Sequence, residues 1–182
     1  MKMPKTDVKN PPYVYMETVN ILDMHFTIVA SDQGLIFIGG PKMTVAQVKE
    51  FVEQQAGTVM WKGQQVLTQK AITQLDEYWR GERKIFTVPL DLNFLKPTPF
   101  QKQVWQGLMQ VPYGEIQTYG QLAEAIGYSK KHARAVGTAV GRNPLLIVVP
   151  CHRILPAHGK GIGQFSSGVA LKEKILKREN VI

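Results

Sequence analysis

Only one cysteine, Cys151, stands in the 182 residues of this chain. That excludes an internal disulfide and any zinc site built on several cysteines. Long apolar runs are missing too, and no stretch reaches the length that a membrane span needs. Residues 1–10 carry three lysines and no apolar core, so no secretory signal is read there. A lone thiol fits a reducing compartment, and a cytoplasmic setting is expected. Acidic residues are also few, 14 against 22 Lys+Arg, for a net charge of +8. The deficit is uneven. Residues 1–90 hold 10 basic and 9 acidic side chains, a net of +1, whereas residues 91–182 hold 12 and 5, a net of +7. A basic excess confined to the half that holds Cys151 points to a polyanionic partner.

What is present suffices for a core. Hydrophobic residues make up 44% of the chain, which suits one large domain or two small ones. Residues 1–12, ending Asn10-Pro11-Pro12, read as a loose lead-in because consecutive prolines cannot start a ladder. Residues 13–20, 25–31 and 35–38 are expected as strands, with Phe26, Ile28 and Ala30 alternating against Thr27 and Val29. Asp32-Gln33-Gly34 marks a turn, so the three form an antiparallel meander. Thr44 and Gln47 make a capping box ahead of Val45, Val48 and Val52. A second helix over residues 68–80 aligns Ile72, Leu75 and Trp79 and is stopped by Gly81. Residues 58–61 read as a short strand, and alternation of Phe86, Val88, Leu90 and Leu92 predicts another. No catalytic pattern shows in this half, and His25 is read as structural.

Residues 93–97 form the expected boundary between an N-terminal unit, 1–92, and a C-terminal unit, 93–182. Thr98-Pro99-Phe100-Gln101 is a capping box with proline at the first helical position, and Phe100, Val104, Trp105 and Leu108 follow on one face. Pro112-Tyr113-Gly114 ends that helix. Thr118 and Gln121 repeat the box and open a short helix through Leu122, Ala123 and Ile126, which Gly127 stops. Ser129 is expected to cap a helix over residues 130–140. Two short helices joined by a glycine-containing turn make a helix-turn-helix. The second presents Lys130, Lys131, His132 and Arg134, then small residues at Ala133, Ala135, Gly137, Thr138 and Ala139. Small side chains let a backbone approach a surface closely and basic ones pair with phosphates. Tight helix packing with a solvated basic start fits the same pattern. His132 is read as a surface residue.

Gly141-Arg142-Asn143-Pro144 turns the chain into residues 145–149, expected as a short buried strand or extended segment that delivers Pro150-Cys151-His152-Arg153. A thiol is a strong nucleophile only as thiolate, which cationic or hydrogen-bonding neighbours favour. A free cysteine is also among the most buried residue types, so a packed structural thiol is the competing reading. After His158, residues 159–163 and 164–168 read as a glycine-rich loop shaped for close approach of a ligand. Residues 169–179 read as the last helix, with Leu171 and Ile175 inward.

Taken together, Pro150-Cys151-His152-Arg153 after Asn143-Pro144, the Arg134-Ala135-Val136-Gly137 helix and Phe165-Ser166-Ser167-Gly168 resemble the O6-alkylguanine-DNA alkyltransferases. Those are the methylated-DNA–protein-cysteine methyltransferases of direct DNA repair. The resemblance is close over residues 70–182 and holds only in pattern over 13–70. It implies an N-terminal α/β domain, RNase H-like, with a small antiparallel sheet plus helices. It also implies a mainly α C-terminal domain with a winged-helix-like helix-turn-helix. The implied substrate is double-stranded DNA carrying O6-alkylguanine, and possible O4-alkylthymine, with the recognition helix in the minor groove and the damaged base flipped out. Arg134 would fill the gap in the duplex, with Ala133, Ala135, Gly137, Val149 and Arg153 among the DNA or base contacts. Cys151 would take the alkyl group as thiolate, His152 the thiol proton through a water, and Glu179 would orient the imidazole. Tyr119 would hydrogen-bond the base, Asn143 brace the site, and Ser166 and Phe165 line the base pocket. The thioether product implies a protein used once. A monomer is expected, with no cofactor, no metal and no membrane partner. Phe165 stands where many members have tyrosine and Ser167 where many have glycine, which leaves the hydroxyl contact to the base and the alkyl-size range open.

Three functions compete on the residues. A suicidal alkyltransferase adds one alkyl group per chain. A non-catalytic DNA-binding module would explain the basic half without any mass change. A Cys-His hydrolase would turn over small esters and leave the basic helix without a role.

Overall fold

Residues 10–157 and 159–182 are described by the structure, a computed structural model. Most of the expected lead-in, residues 1–9, and His158 lie outside the described residues. β1 (Tyr13–Ile21), β2 (Met24–Ala30) and β3 (Leu35–Gly39) form the antiparallel meander. After α1 (Val45–Ala56), β4 (Met60–Lys62) joins the far edge parallel to β1, giving the order β3-β2-β1-β4. The sheet is therefore mixed rather than antiparallel. The cause is the helical crossover, which brings the chain back to the start of the sheet so that the next strand runs with β1 and β3.

Each helix starts where a side chain takes over the unpaired backbone donors. Thr44 Oγ1 accepts from Gln47 N at 3.2 Å while Gln47 Oε1 accepts from Thr44 N at 2.9 Å. In α2 (Val66–Arg80) Gln65 is the cap and Thr68 its partner inside the first turn, so the helix begins earlier than its apolar spacing suggests. Thr98 and Thr118 cap α3 (Pro99–Leu108) and α4 (Tyr119–Ala125) in the same reciprocal way. Such caps contribute about 1 kcal/mol each. Ser129 does not act as one: its Oγ lies 3.2 Å from His132 Nδ1. Residues 130–132 accordingly form a 3-10 turn, and α5 starts only at Ala133 (Ala133–Gly141).

Both faces of the sheet are covered, which is why β2 and β3 are buried nearly throughout. On one face Val48 and Val52 of α1 meet Val14, Val29, Ile36 and Phe37. On the other, Phe26, Ile28, Leu35 and Ile38 meet Ala71, Leu75 and Tyr78 of α2. That cluster runs on without a break through Val104, Leu108, Leu122, Leu145 and Ile175 of the C-terminal half.

The alternating residues 86–92 do not form a strand. Only Leu90 bridges to Leu35, in parallel. Pro89 removes one ladder donor. Gln74 Oε1 takes two others, the backbone N–H groups of Thr87 at 2.9 Å and Val88 at 3.2 Å. The segment crosses so close to Gly34 that a Cβ there would lie 2.7 Å from Asp91 N.

The β1–β2 hairpin turns through Leu22 and Asp23, both left-handed with φ of 47° and 62°. Two positive φ values suit the twist of a two-residue hairpin, but a leucine there is strained. Leu22 is 55% exposed and contributes little burial. Leu22→Asn should therefore stabilise the fold by about 1 kcal/mol, read as a rise of about 2–4 °C in the thermal midpoint.

Candidate active site

Cys151 is delivered by turns and not by a strand. Leu145 makes a single parallel bridge to Ile38 of β3, and Ile38 N donates to Pro144 O at 2.8 Å. The chain then curls. Val148 N donates to Leu146 O at 2.9 Å and Cys151 N to Val149 O at 2.8 Å, each closing a three-residue turn. The first centres on Ile147 at φ +72°, the second on Pro150 at φ −81°, ψ 64°. The side chain of Asn143 replaces the missing ladder: Leu145 N donates to its Oδ1 at 2.9 Å, and its Nδ2 donates to Val149 O at 2.7 Å. A left-handed, β-branched residue costs about 1–3 kcal/mol. The surrounding core over-determines it, since residues 144–150 are all buried.

Cys151–Arg153 form one 3-10 turn that runs into β6 (Ile154–Leu155). β6 pairs in parallel with β5 (Gln117–Thr118), and α4 begins at the next residue, Tyr119. This two-residue pairing carries Tyr119 to Cys151. Together with Gly137 and Val140 of α5 they line a cavity of about 270 Å³, whose remaining wall includes Gln164, Phe165 and Ser166. Cys151 is 5% exposed. Burial pushes its thiol up, while a hydrogen bond with Asn143 and the positive charge of Lys172 act against that. Burial, with the nearby Cys151 charge, also raises the Tyr119 hydroxyl.

Behind the thiol sits a saturated carboxylate. Glu179 Oε1 accepts from His152 Nε2 at 2.8 Å, from Tyr78 Oη at 2.7 Å and from Arg153 Nη2 at 2.9 Å. Its Oε2 accepts from Arg153 Nε at 2.9 Å and from Gly114 N at 3.2 Å. Burial by itself would raise this carboxyl, but the hydrogen bonds from His152, Arg153 and Tyr78 outweigh it and hold the group well below the usual carboxylate range. His152 is fully buried. Burial lowers its pKa, Glu179 opposes that, and Arg153 and Lys172 add to the lowering, which favours the neutral ring. With Nε2–H committed to Glu179, Nδ1 is the basic nitrogen, and it has no hydrogen-bond partner among the described residues.

Several expected site residues lie elsewhere. Arg153, grouped with the DNA contacts, is buried, and its guanidinium grips Glu179 twice and Val111 O at 2.6 Å. It serves the carboxylate because a buried Glu179 needs a charge partner. Val149 is buried, accepts from Asn143 through its carbonyl, and is not among the residues that line this cavity. Ser167 rests on the N-terminal half, where a Cβ on Gly40 would come within 2.9 Å of its Oγ. It lines a second cavity of about 350 Å³ with Phe37, Met43, Trp105 and Leu146, and Ser166 and Gly141 border both cavities. On α5, Arg134 and Ala135 are exposed while Val136, Ala139 and Val140 are buried, and Ala133 and Gly137 are partly covered.

Two residues of the site escape sequence reasoning. Tyr78 comes from α2 in the half that shows no catalytic pattern, and only its hydroxyl on an apolar helix face hints at a buried partner. Burial and the Glu179 charge raise that hydroxyl far above its ordinary value. Lys172 is 1% exposed and donates to Ile154 O at 2.7 Å. Burial lowers its ammonium to about 8 despite the Cys151 charge. Its signal is a lysine at helical spacing with Ile175 and Leu176.

Comparison with known proteins matches both halves. Residues 14–92 fit the 6-O-methylguanine DNA methyltransferase ribonuclease-like domain and residues 99–181 its DNA-binding domain. The methylated-DNA–protein-cysteine methyltransferase of Methanosarcina acetivorans is 39% identical over 86% of this chain and 98% of its own. The inducible one of Bacillus subtilis is 32% identical over 93% and 92%. The solved structure of Mycobacterium tuberculosis OGT in complex with DNA overlays with a TM-score of 0.74 at 32% identity, covering 92% of each chain. Matched in both halves and along nearly the whole length of its relatives, the chain belongs to the methylated-DNA–protein-cysteine methyltransferase family.

Proposed function

We propose that this protein repairs O6-alkylguanine in DNA by moving the alkyl group irreversibly to Cys151. One observation carries the assignment of residues: the thiol lines the cavity, next in sequence to a histidine whose far nitrogen is held at 2.8 Å by Glu179. In the proposed step His152 Nδ1 takes the thiol proton through a bridging water, and the thiolate attacks the alkyl carbon. The S–C bond forms as the C–O6 bond breaks, and the electron pair leaves on guanine. Tyr119 hydrogen-bonds the base as that charge develops. The restored guanine needs one proton and the thiol releases one, so the exchange balances without a cofactor. Nothing in the site hydrolyses a thioether, which makes the protein a single-use acceptor.

A thiol this buried reaches an alkylated base only if the base leaves the stack, at a cost of about a few kcal/mol. The proposed geometry sets α5 in the minor groove, where Ala133, Ala135 and Gly137 permit close approach and Arg134 fills the vacated position. The exposure of Arg134, with no carboxylate paired to it among the described residues, supports that role. Ser166 and Phe165 would line the base, and the 350 Å³ cavity beyond Ser166 gives room for substituents larger than methyl. O4-alkylthymine is a second candidate substrate. A monomer in the cytoplasm, divided at residues 92 and 93, completes the reading.

Incubation with alkylated duplex should add the mass of one alkyl group per chain, at Cys151, and none to Cys151→Ala; turnover beyond one equivalent would sink the proposal. Glu179→Gln should slow single-turnover transfer at pH 7 by about tenfold or more and raise the apparent pKa of the Cys151/His152 unit. It should also destabilise by about 3–5 kcal/mol, because Arg153 is left buried without its charge partner. The sign with pH is definite. The folded carboxyl lies below its ordinary 4.5, so its stabilisation is complete above that value and is lost as pH falls through the folded pKa. The Gln variant should lack this acid slope in denaturant titrations. Arg134→Ala should weaken repair of duplex DNA far more than reaction with the free alkylated base, and equal losses on both would make Arg134 structural.

A further inference from the structure

We infer that Tyr78, from the N-terminal half, is a positioning residue for the alkyl transfer: its hydroxyl sets the proton affinity of His152 by sharing the carboxylate oxygen that His152 uses. The inference rests on the His152–Glu179 relay proposed above. Tyr78 Oη and His152 Nε2 donate to the same atom, Glu179 Oε1, at 2.7 and 2.8 Å. The tyrosine is completely buried. Its ring is fixed by edge contacts with Trp79 and Tyr113, at centroid distances of 5.7 and 6.1 Å, and by a tilted contact with Phe86 at 5.5 Å. A hydroxyl held this firmly has no alternative acceptor among the described hydrogen bonds, so its dipole acts on Oε1.

The direction follows from charge. Each donor to Oε1 withdraws electron density from the oxygen that stabilises a proton on His152. With Tyr78 in place the carboxylate is a weaker partner for the imidazolium, and the ring stays the neutral base that the transfer requires. Without it, the negative potential at the ring grows and His152 holds a proton to higher pH. The other groups facing the pair are the fixed charge of Arg153, the titratable Lys172 and Cys151, and a hydroxyl spent elsewhere. Arg153 binds both oxygens of Glu179, Lys172 reaches in from α6 (Val169–Arg178), Cys151 directly precedes His152 in the chain, and Tyr113 spends its hydroxyl on Arg178 O at 2.9 Å. Of these only Arg153 shares Oε1 with His152, and its charge is fixed, which leaves the Tyr78 hydroxyl as the neutral donor sharing that oxygen with the imidazole.

This also gives the N-terminal half a part in the chemistry. Tyr78 reaches across 101 positions of sequence to the end of α6, and no other side chain from residues 10–92 is hydrogen-bonded to Cys151, His152, Arg153 or Glu179. A purely mechanical role for α2 would need only the ring.

Tyr78→Phe keeps the ring and removes the donor. His152 titrated by NMR in the full-length variant should shift upward by about 0.5 pH unit or more, and the acid limb of single-turnover transfer on alkylated duplex should move up with it. Below the shifted midpoint the transfer rate should fall by about threefold, and at pH 7 by about twofold or less, with DNA affinity unchanged. Should the variant fail to fold, 3-fluorotyrosine installed at position 78, a stronger donor of nearly the same shape, should shift His152 the opposite way. A His152 titration and pH–rate profile that overlay on the wild type, with only a lower melting temperature, overturn the inference; so does a fluorinated protein with no shift. Glu179→Gln separates the two levels. If it leaves the His152 titration in place, the relay itself is wrong, whereas a shift there with none in Tyr78→Phe removes only the role of Tyr78.

Discussion

A buried carboxylate is the constraint from which the rest of this site follows. Moving such an ion out of water costs several kcal/mol even after relaxation, and Glu179 is 2% exposed. Five hydrogen bonds from four groups meet that cost: Tyr78 of α2, Gly114 of the turn after α3, and His152 and Arg153 of the 3-10 turn. Because the donors come from three separate stretches of chain, the anion works as a registration point. It fixes α6 against α2, and both against the turn that carries the thiol. Arg153 neutralises the charge, Gly114 N uses a backbone donor exposed by its left-handed φ of 80°, and the remaining valence of Oε1 orients the imidazole.

The same economy governs the thiol. Burial alone would make Cys151 a poor nucleophile, yet burial is also what shields a reactive sulfur from other electrophiles. The site balances these demands with groups that favour the anion locally, Asn143 by a hydrogen bond and Lys172 by its charge. Lys172 is held at Ile154 O, on the strand that follows the 3-10 turn. Its ammonium thus sits close enough to act on the sulfur without capping it. The two tight turns before Cys151 leave the Asn143 amide facing both the loop backbone and the thiol.

What was legible in the sequence had local causes. Capping boxes at Thr44, Thr98 and Thr118 mark helix starts because the partners lie three residues apart. Residues 13–38 show as a meander because alternation and the Asp32-Gln33-Gly34 turn agree. Pro150-Cys151-His152-Arg153 stands out as a motif, Asn143, Tyr119 and Glu179 enter only through the family resemblance, and the structure places them in one region. What was hidden depends on distant partners. The direction of β4 follows from where α1 deposits the chain, which no local pattern encodes. Residues 86–92 alternate like a strand, but Gln74, far back in α2, takes their donors. Tyr78 looks like another aromatic on an apolar face until Glu179 is beside it. Arg153 reads as a basic residue near DNA until its burial shows whose charge it answers. Apolar residues 145–149 have the composition of a strand, but Ile147 sits at positive φ, a conformation that its side chain disfavours and that composition therefore cannot announce.

The unbroken apolar cluster that joins both halves has a thermodynamic meaning of its own. Phe26 and Leu75 on one side and Leu108, Leu145 and Ile175 on the other belong to a single buried set, so neither half can melt without exposing the partner face of the other. Burying one apolar set between both halves couples their unfolding and favours a single cooperative transition. In such a molecule the geometry around the sulfur is tied to the integrity of both halves, because the cluster that joins them includes Cys151 itself.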